Sequence, residues 1–166
     1  FTGAVFTDSV FTRADFTGSY FTDSVFTDAN FTGSYFTDSV FTGANFTGAV
    51  FTDSVFTRAD FTAIRDDIWA VLSSVPDEVP TLISALKTGL VDGSTYTGEC
   101  ACLVGTIAKA RGEIYNSLEL LKPNSSRPAE RFFMGIKKGD TPETNQLSKM
   151  ALEWCEDWLS RMQAAV

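Results

Sequence analysis

Glu99-Cys100-Ala101-Cys102 is the stretch of this chain whose residue types could do chemistry. Two thiols two positions apart, beside a carboxylate, can hold a metal or cycle as a redox pair. On a strand, residues i and i+2 face one way, whereas on a helix they do not. Cys100, Leu103, Val104, Ile107, Ala108 and Arg111 have the spacing of one helical face. That face places Cys100 in a core and leaves Cys102 with Gly105, Thr106 and Lys109 on another. A zinc site would need Cys155 to join them, and the chain has no His to serve as a fourth ligand. The expectation is therefore no metal and no cofactor.

Nucleophilic catalysis has less support. With no His, Ser–His and Cys–His pairs are excluded. Ser148-Lys149 read as surface neighbours, and the segment from Gly98 to Gly105 lacks the Lys that a phosphate-binding loop requires. The chain is not expected to be an enzyme.

The elements that would position these residues follow a very different first part. From Phe1 to Thr62 one five-residue phrase recurs, FTGAV FTDSV FTRAD and onward, with Phe at every fifth position to Phe61 and Thr after each Phe. Two residues before each later Phe stands only Ala or Ser. A period of five fits neither a helix at about 3.6 residues nor a strand at about 2. It fits a chain that turns a corner every five residues and buries each unit against its neighbours. Phe and the small residue then point inward, and Thr, the Gly/Asp/Arg position and the Val/Asp/Asn/Tyr position point out.

This pattern resembles the pentapeptide-repeat family, most closely at Ala14-Asp15-Phe16-Thr17-Gly18, Ala29-Asn30-Phe31-Thr32-Gly33 and Ala59-Asp60-Phe61-Thr62-Ala63. The resemblance implies a right-handed quadrilateral β-helix with four units to a coil, so that residues 1–60 make three coils. Val10, Val25, Val40, Tyr20 and Tyr35 depart from the acidic or amide choice before Phe. The strings DGSTYTGECACLVGTIA and SRPAERFFMGI, with DTPETNQ, resemble a helical tail that follows pentapeptide repeats in some bacterial and phage proteins of unassigned function.

Composition divides the chain near residue 63. Residues 1–62 hold seven Asp and two Arg, with no Lys, Glu, Pro or Cys. The net charge is −8, of which −5 lies in the repeats, and such a balance argues against direct nucleic-acid binding. Three Cys form no even disulfide framework, which suits a reducing, cytoplasmic compartment. No signal peptide or membrane-spanning run is read. Asn30, Asn45 and Asn124 begin glycosylation sequons, the first two as by-products of the repeat. Residues 1–17 recur unchanged as 46–62, and the chain opens mid-pattern at Phe1. A fragment, a processed chain or an engineered one is expected.

The domain reading is repeats over 1–62, a capping helix over 63–75 and an α-helical domain over 76–166. Ile64, Ile68, Leu72 and Val75 make the capping face, ended by Pro76. A second helix, from Asp77 or Val79 to Thr88, shares Val79, Leu82, Ile83, Leu86 and Leu90, with Gly89 as its C-terminal cap. Further helices are expected over Glu99–Arg111, Glu113–Leu121 and Pro128–Ile136. Thr141-Pro142 reads as the start of the last helix. That helix would carry Leu147, Met150, Ala151, Trp154, Trp158 and Met162 inward and turn Glu153, Glu156 and Asp157 away.

These readings favour a non-enzymatic structural or protein-interaction module. Its candidate contact residues are Phe1, Val5, Val10, Tyr20, Val25, Tyr35, Val50 and Val55, apolar groups expected on the outer face or the open N-terminal edge. That edge, with bare rings and unpaired backbone, is expected to pair with a second copy, with another protein or with an upstream segment. The alternative, from relatives that protect DNA gyrase by imitating B-form DNA, is an acidic inhibitor or protector of a type II topoisomerase. The Asp positions are sparse for that role, and a rod of about 15 Å spans only about four or five base pairs. Single Thr ranks per side suit strand formation and do not require an ice-binding role.

Overall fold

The computed structural model describes residues 1–93, 103–111, 124 and 127–164. The repeats form a β-helix in which every bridge is parallel and joins residues twenty apart, from Val5–Val25 to Val40–Asp60. From Gly3 to Phe41 the N–H of each Phe and of each third position donates forward to a carbonyl 19 residues on, as in Phe6 to Val25 and Asp8 to Thr27. The fifth-position N–H donates back, as in Val25 to Ala4 at 2.8 Å.

Each corner has a local cause. The fourth-position N–H donates to its own Phe carbonyl, 3.0 Å for Ala14 to Phe11, closing a four-residue turn. The third position takes positive φ in every unit, from 51° to 59° at Asp and Arg and from 61° to 69° at Gly. A turn of type II sign needs such a residue there. This is why Gly alternates with Asp at that position, and why Arg13 and Arg58 carry a left-handed backbone that costs about 1 kcal/mol.

Inside, the rings form four columns. Phe1, Phe21, Phe41 and Phe61 stack at 5.0, 5.1 and 4.7 Å with their planes within 13°. Neighbouring columns meet edge to face, as Phe21 and Phe26 do at 5.3 Å and 69°. Both are favourable arrangements of aromatic quadrupoles. The small inward residue does more than leave room. Ser24, Ser34, Ser39 and Ser54 are buried or half-buried, and each hydroxyl donates to the Phe carbonyl 23 residues earlier. Ser39→Ala, which removes the 2.6 Å bond to the Phe16 carbonyl, is expected to cost about 1 kcal/mol in urea denaturation. An unchanged midpoint would mean the serine rungs carry no stability.

Among the described residues five helices follow, α1 (Thr62–Ser74), α2 (Val79–Lys87), α3 (Leu103–Arg111), α4 (Pro128–Phe133) and α5 (Gln146–Ala164), with a 3₁₀ turn at Pro76–Glu78. α1 buries Ile64, Ile68, Val71 and Leu72. Two indoles fasten it to α5: Trp69 donates to the Trp154 carbonyl at 3.0 Å and Trp158 to the Ser73 hydroxyl at 3.1 Å. The rings that meet the last Phe residues come from α4 and α5. Phe132 of α4 lies 6.0 Å from Phe46 and 6.3 Å from Phe61, and Trp154 of α5 lies 6.0 Å from Phe61.

Several sequence expectations are corrected. Gly89 does close α2, with φ 67° and the paired bonds Leu90 N–H to Ala85 and Gly89 N–H to Leu86. Leu90 lies beyond that cap and is 62% exposed, not on the α2 face. α4 stops at Phe133, because the chain turns there through Gly135 onto Phe46. α5 starts at Gln146, not at Thr141-Pro142: those residues form a turn, and Asn145 caps the helix by accepting the Ser148 N–H. Met162 is 45% exposed near the end of α5. The expected helix start at Glu99, the helix over Glu113–Leu121, Cys100 and Cys102 lie outside the described residues.

Candidate interaction surfaces

The outward fifth positions follow from the twenty-residue step. Bridges join them as Val5–Val25–Asn45, Val10–Asn30–Val50, Asp15–Tyr35–Val55 and Tyr20–Val40–Asp60. The candidate apolar residues therefore fall into four ranks around the solenoid. Val5 meets Val25 and Tyr35 meets Val55, but Asn30 separates Val10 from Val50. Val25 and Val55 are only half-exposed. The strongest exposure is at the N-terminal edge, where Phe1 is 55% and Val10 73% exposed and Val5 and Tyr20 are also open.

That edge carries a defined set of backbone groups. Phe1 is fixed by its amine, which donates to the Tyr20 carbonyl at 2.7 Å. Its ring sits on Phe21 and against Phe6 and Phe16. In later units the fifth-position N–H donates to the preceding layer. Among the described residues, the N–H groups of Val5, Val10, Asp15 and Tyr20 have no such acceptor. Phe6, Phe11 and Phe16 are half-buried, whereas Phe21 to Phe46 are fully buried.

The polar surface is largely occupied with its own backbone. Where the fifth position is Asp or Asn, its side chain accepts the N–H of Thr two residues on, at 2.9 Å for Asp15, 2.9 Å for Asn30, 3.0 Å for Asn45 and 2.8 Å for Asp60. The Thr17 hydroxyl and N–H hold the Asp15 carboxyl below its ordinary range. Asp38 is gripped by both Nε and a terminal nitrogen of Arg58, at 2.6 and 2.7 Å, and its carboxyl is likewise held low. Of the stacked third positions only Asp8 and Asp28 set one carboxylate over another, and the Asp23 and Asp28 carboxylates occupy the space a Cβ on Gly43 or Gly48 would take.

Cys155 is buried in α5, and burial pushes its thiol up to about 12. Leu103, Val104, Ile107 and Ala108 are buried as their spacing predicts, and Gly105 and Thr106 are buried beside them. Among the described residues, no three His, Cys, Asp or Glu side chains gather as a metal site would require. No helix among them is long and apolar enough to cross a membrane.

At the far end of the solenoid the edge is partly completed. Phe46 N–H donates to the Arg131 carbonyl and Gly48 N–H to the Met134 carbonyl, at 3.4 and 3.2 Å, while the Arg131 guanidinium donates to the Gly43 carbonyl at 2.9 Å. The end of α4 thus stands where a further layer of repeat would lie. Sequence reasoning missed this role, since nothing in AERFFMG marks it as a strand substitute.

One family model, described as pentapeptide repeats (8 copies), matches residues 24–62, and a second, described as pentapeptide repeats (9 copies), matches residues 1–40. No curated protein matches the chain. Among solved structures, a pentapeptide repeat protein from the thylakoid lumen of Arabidopsis thaliana is 29% identical over 37% of this chain, with a TM-score of 0.36. The match spans 43% of that protein's chain.

Proposed function

We propose that this chain, whose residues 1–62 are pentapeptide repeats, is a non-enzymatic, cytoplasmic interaction module that associates with a second copy through its N-terminal edge. In this reading the solenoid is a right-handed, four-sided β-helix of three coils, and its rigidity is the property used. The observation that carries the proposal is the combination at one edge of the open Phe1 ring, exposed Val5, Val10 and Tyr20, and unpaired N–H groups at every fifth position. Backbone groups of that kind template pairing with another strand layer. An isologous contact between two such edges would cover both at once.

Sedimentation velocity tests it. A reversible dimer is expected, and Val5→Lys with Val10→Lys should weaken it by about tenfold or more by placing like charges opposite one another. A chain that stays monomeric at about 100 μM rejects self-association. The topoisomerase-directed alternative has less to rest on, because Asp38 is neutralised by Arg58 and Gly interrupts the stacked carboxylates. A gyrase supercoiling assay separates it from the first reading.

A further inference from the structure

We propose that the groove between residues 54–61 of the repeats and α5 binds an extended, basic-flanked peptide of a partner protein by strand addition, with one apolar side chain of that peptide seated on Phe56. The groove measures about 490 Å³ and is walled by Phe56, Phe61, Arg65, Met150, Glu153 and Trp154. It lies at the opposite end of the solenoid from Phe1 and owes nothing to self-association there.

Three observations converge on it. The first is backbone pairing. Through the first two layers of the solenoid a Phe N–H and a third-position N–H donate forward, and a fourth-position carbonyl accepts from the next layer. Among the described residues, Phe56 N–H, Arg58 N–H and the Ser54 and Ala59 carbonyls have no such partner. The Ser54 carbonyl and the Phe56 N–H flank Val55 on one side of the coil, before the turn that Ala59 N–H closes onto the Phe56 carbonyl, and an acceptor and a donor two residues apart match an extended backbone.

The second is the neighbouring edge. Phe46 and Gly48 show what satisfies it, namely carbonyls of the short run from Arg131 to Met134. That run leaves the edge before Phe51, and the covered edge is continuous with the uncovered one. The third is the floor. Phe46, Phe51 and Phe61 are buried, but Phe56 in the same last layer stays half-exposed at the bottom of the groove.

The occupant follows from shape and charge. A second copy cannot bring its whole N-terminal edge here, because Phe132 and Trp154 already stand against Phe46 and Phe61. A single extended chain can enter. Glu153 and Asp60 line the groove as carboxylates, whereas Arg65 bonds Asp66 at 2.8 Å and lies over the Trp69 ring at 4.8 Å. Lys or Arg beside the seated apolar residue complements that mouth.

The probe is a fluorescein-labelled, end-blocked pentapeptide, Lys-Thr-Phe-Thr-Lys, titrated against the full chain by fluorescence polarisation. Saturable binding is expected, about tenfold weaker for the same peptide N-methylated on alternate amides and about tenfold weaker for Glu153→Trp, whose ring narrows the groove from an exposed position. The Phe56 and Arg58 amides should gain protection from hydrogen exchange when peptide is added. Absence of saturation at about 1 mM peptide overturns the proposal, as does equal affinity of the N-methylated peptide. Slow exchange of those amides in the free monomer would show that this chain fills its own groove, and slow exchange only in an oligomer would assign it to a second copy. Either result also overturns it.

Discussion

Replacing Phe132 by Ala is expected to lower the free energy of unfolding by about 3–5 kcal/mol, the largest loss of any single truncation outside the repeats. The reason is where the ring stands. Phe132 is fully buried and touches Phe46 and Phe61 on the solenoid side and Phe133 and Trp154 on the helical side. It comes from a helix of six residues that has little stability of its own. That helix is held at its start by Asp67 of α1, which accepts the Ala129 N–H at 2.9 Å and both of its oxygens meet Arg127 Nε. Removing the ring therefore opens a cavity between the two halves and loosens the segment that pairs Phe46 and Gly48. Guanidinium unfolding followed by far-ultraviolet dichroism and tryptophan fluorescence would measure the loss. The solenoid amides near Phe46 should lose exchange protection before those near Phe26. A destabilisation under about 1 kcal/mol would mean that the helices do not seal the ring columns.

The comparison of sequence with structure turns on the range over which each feature is determined. The inward Phe was legible because each unit repeats the same local choice, whereas the twenty-residue step was implied by the family resemblance, and Phe1 over Phe21 at 5.0 Å agrees with both. The positive φ at the third position was legible in part, in the recurring Gly, but Asp and Arg there hide it. The bonds from Ser24, Ser34, Ser39 and Ser54 were hidden, because Ala and Ser look interchangeable at one position and differ only through a carbonyl 23 residues away. In the helical part, local caps such as Gly89 could be read, whereas Asn145 could not be told from the Thr-Pro upstream. The groove over Phe56 could not be read at all. It exists because α4 covers one edge and α5 stops short of the next, and that depends on how two distant segments dock.

Glu130 predicts an unusual dependence on pH. Its carboxyl is fully buried in α4, both oxygens lack a full hydrogen bond, and burial pushes its pKa from about 4.5 up to about 7. The Val104 N–H of α3 and the positive Arg127 oppose that rise, and Asp67 adds to it. Arg127 gives little relief, since its guanidinium is already committed to Asp67 at 2.9 Å. In the unfolded chain the group ionises near its ordinary value, so between about 4.5 and 7 the unfolded state has released a proton that the folded state keeps. A raised carboxyl pKa therefore leaves stability intact below the unfolded value and removes it progressively as pH rises to the folded one. The loss is complete above about pH 7 and amounts to about 3 kcal/mol. Glu130→Gln keeps the shape of the protonated acid and cannot ionise. It should match the parent chain near pH 4 and exceed it by up to about 3 kcal/mol near pH 8 in urea denaturation. Taking the difference between the two proteins at each pH cancels the other carboxylates, so two parallel stability curves would mean that Glu130 is ionised and solvated in the folded chain.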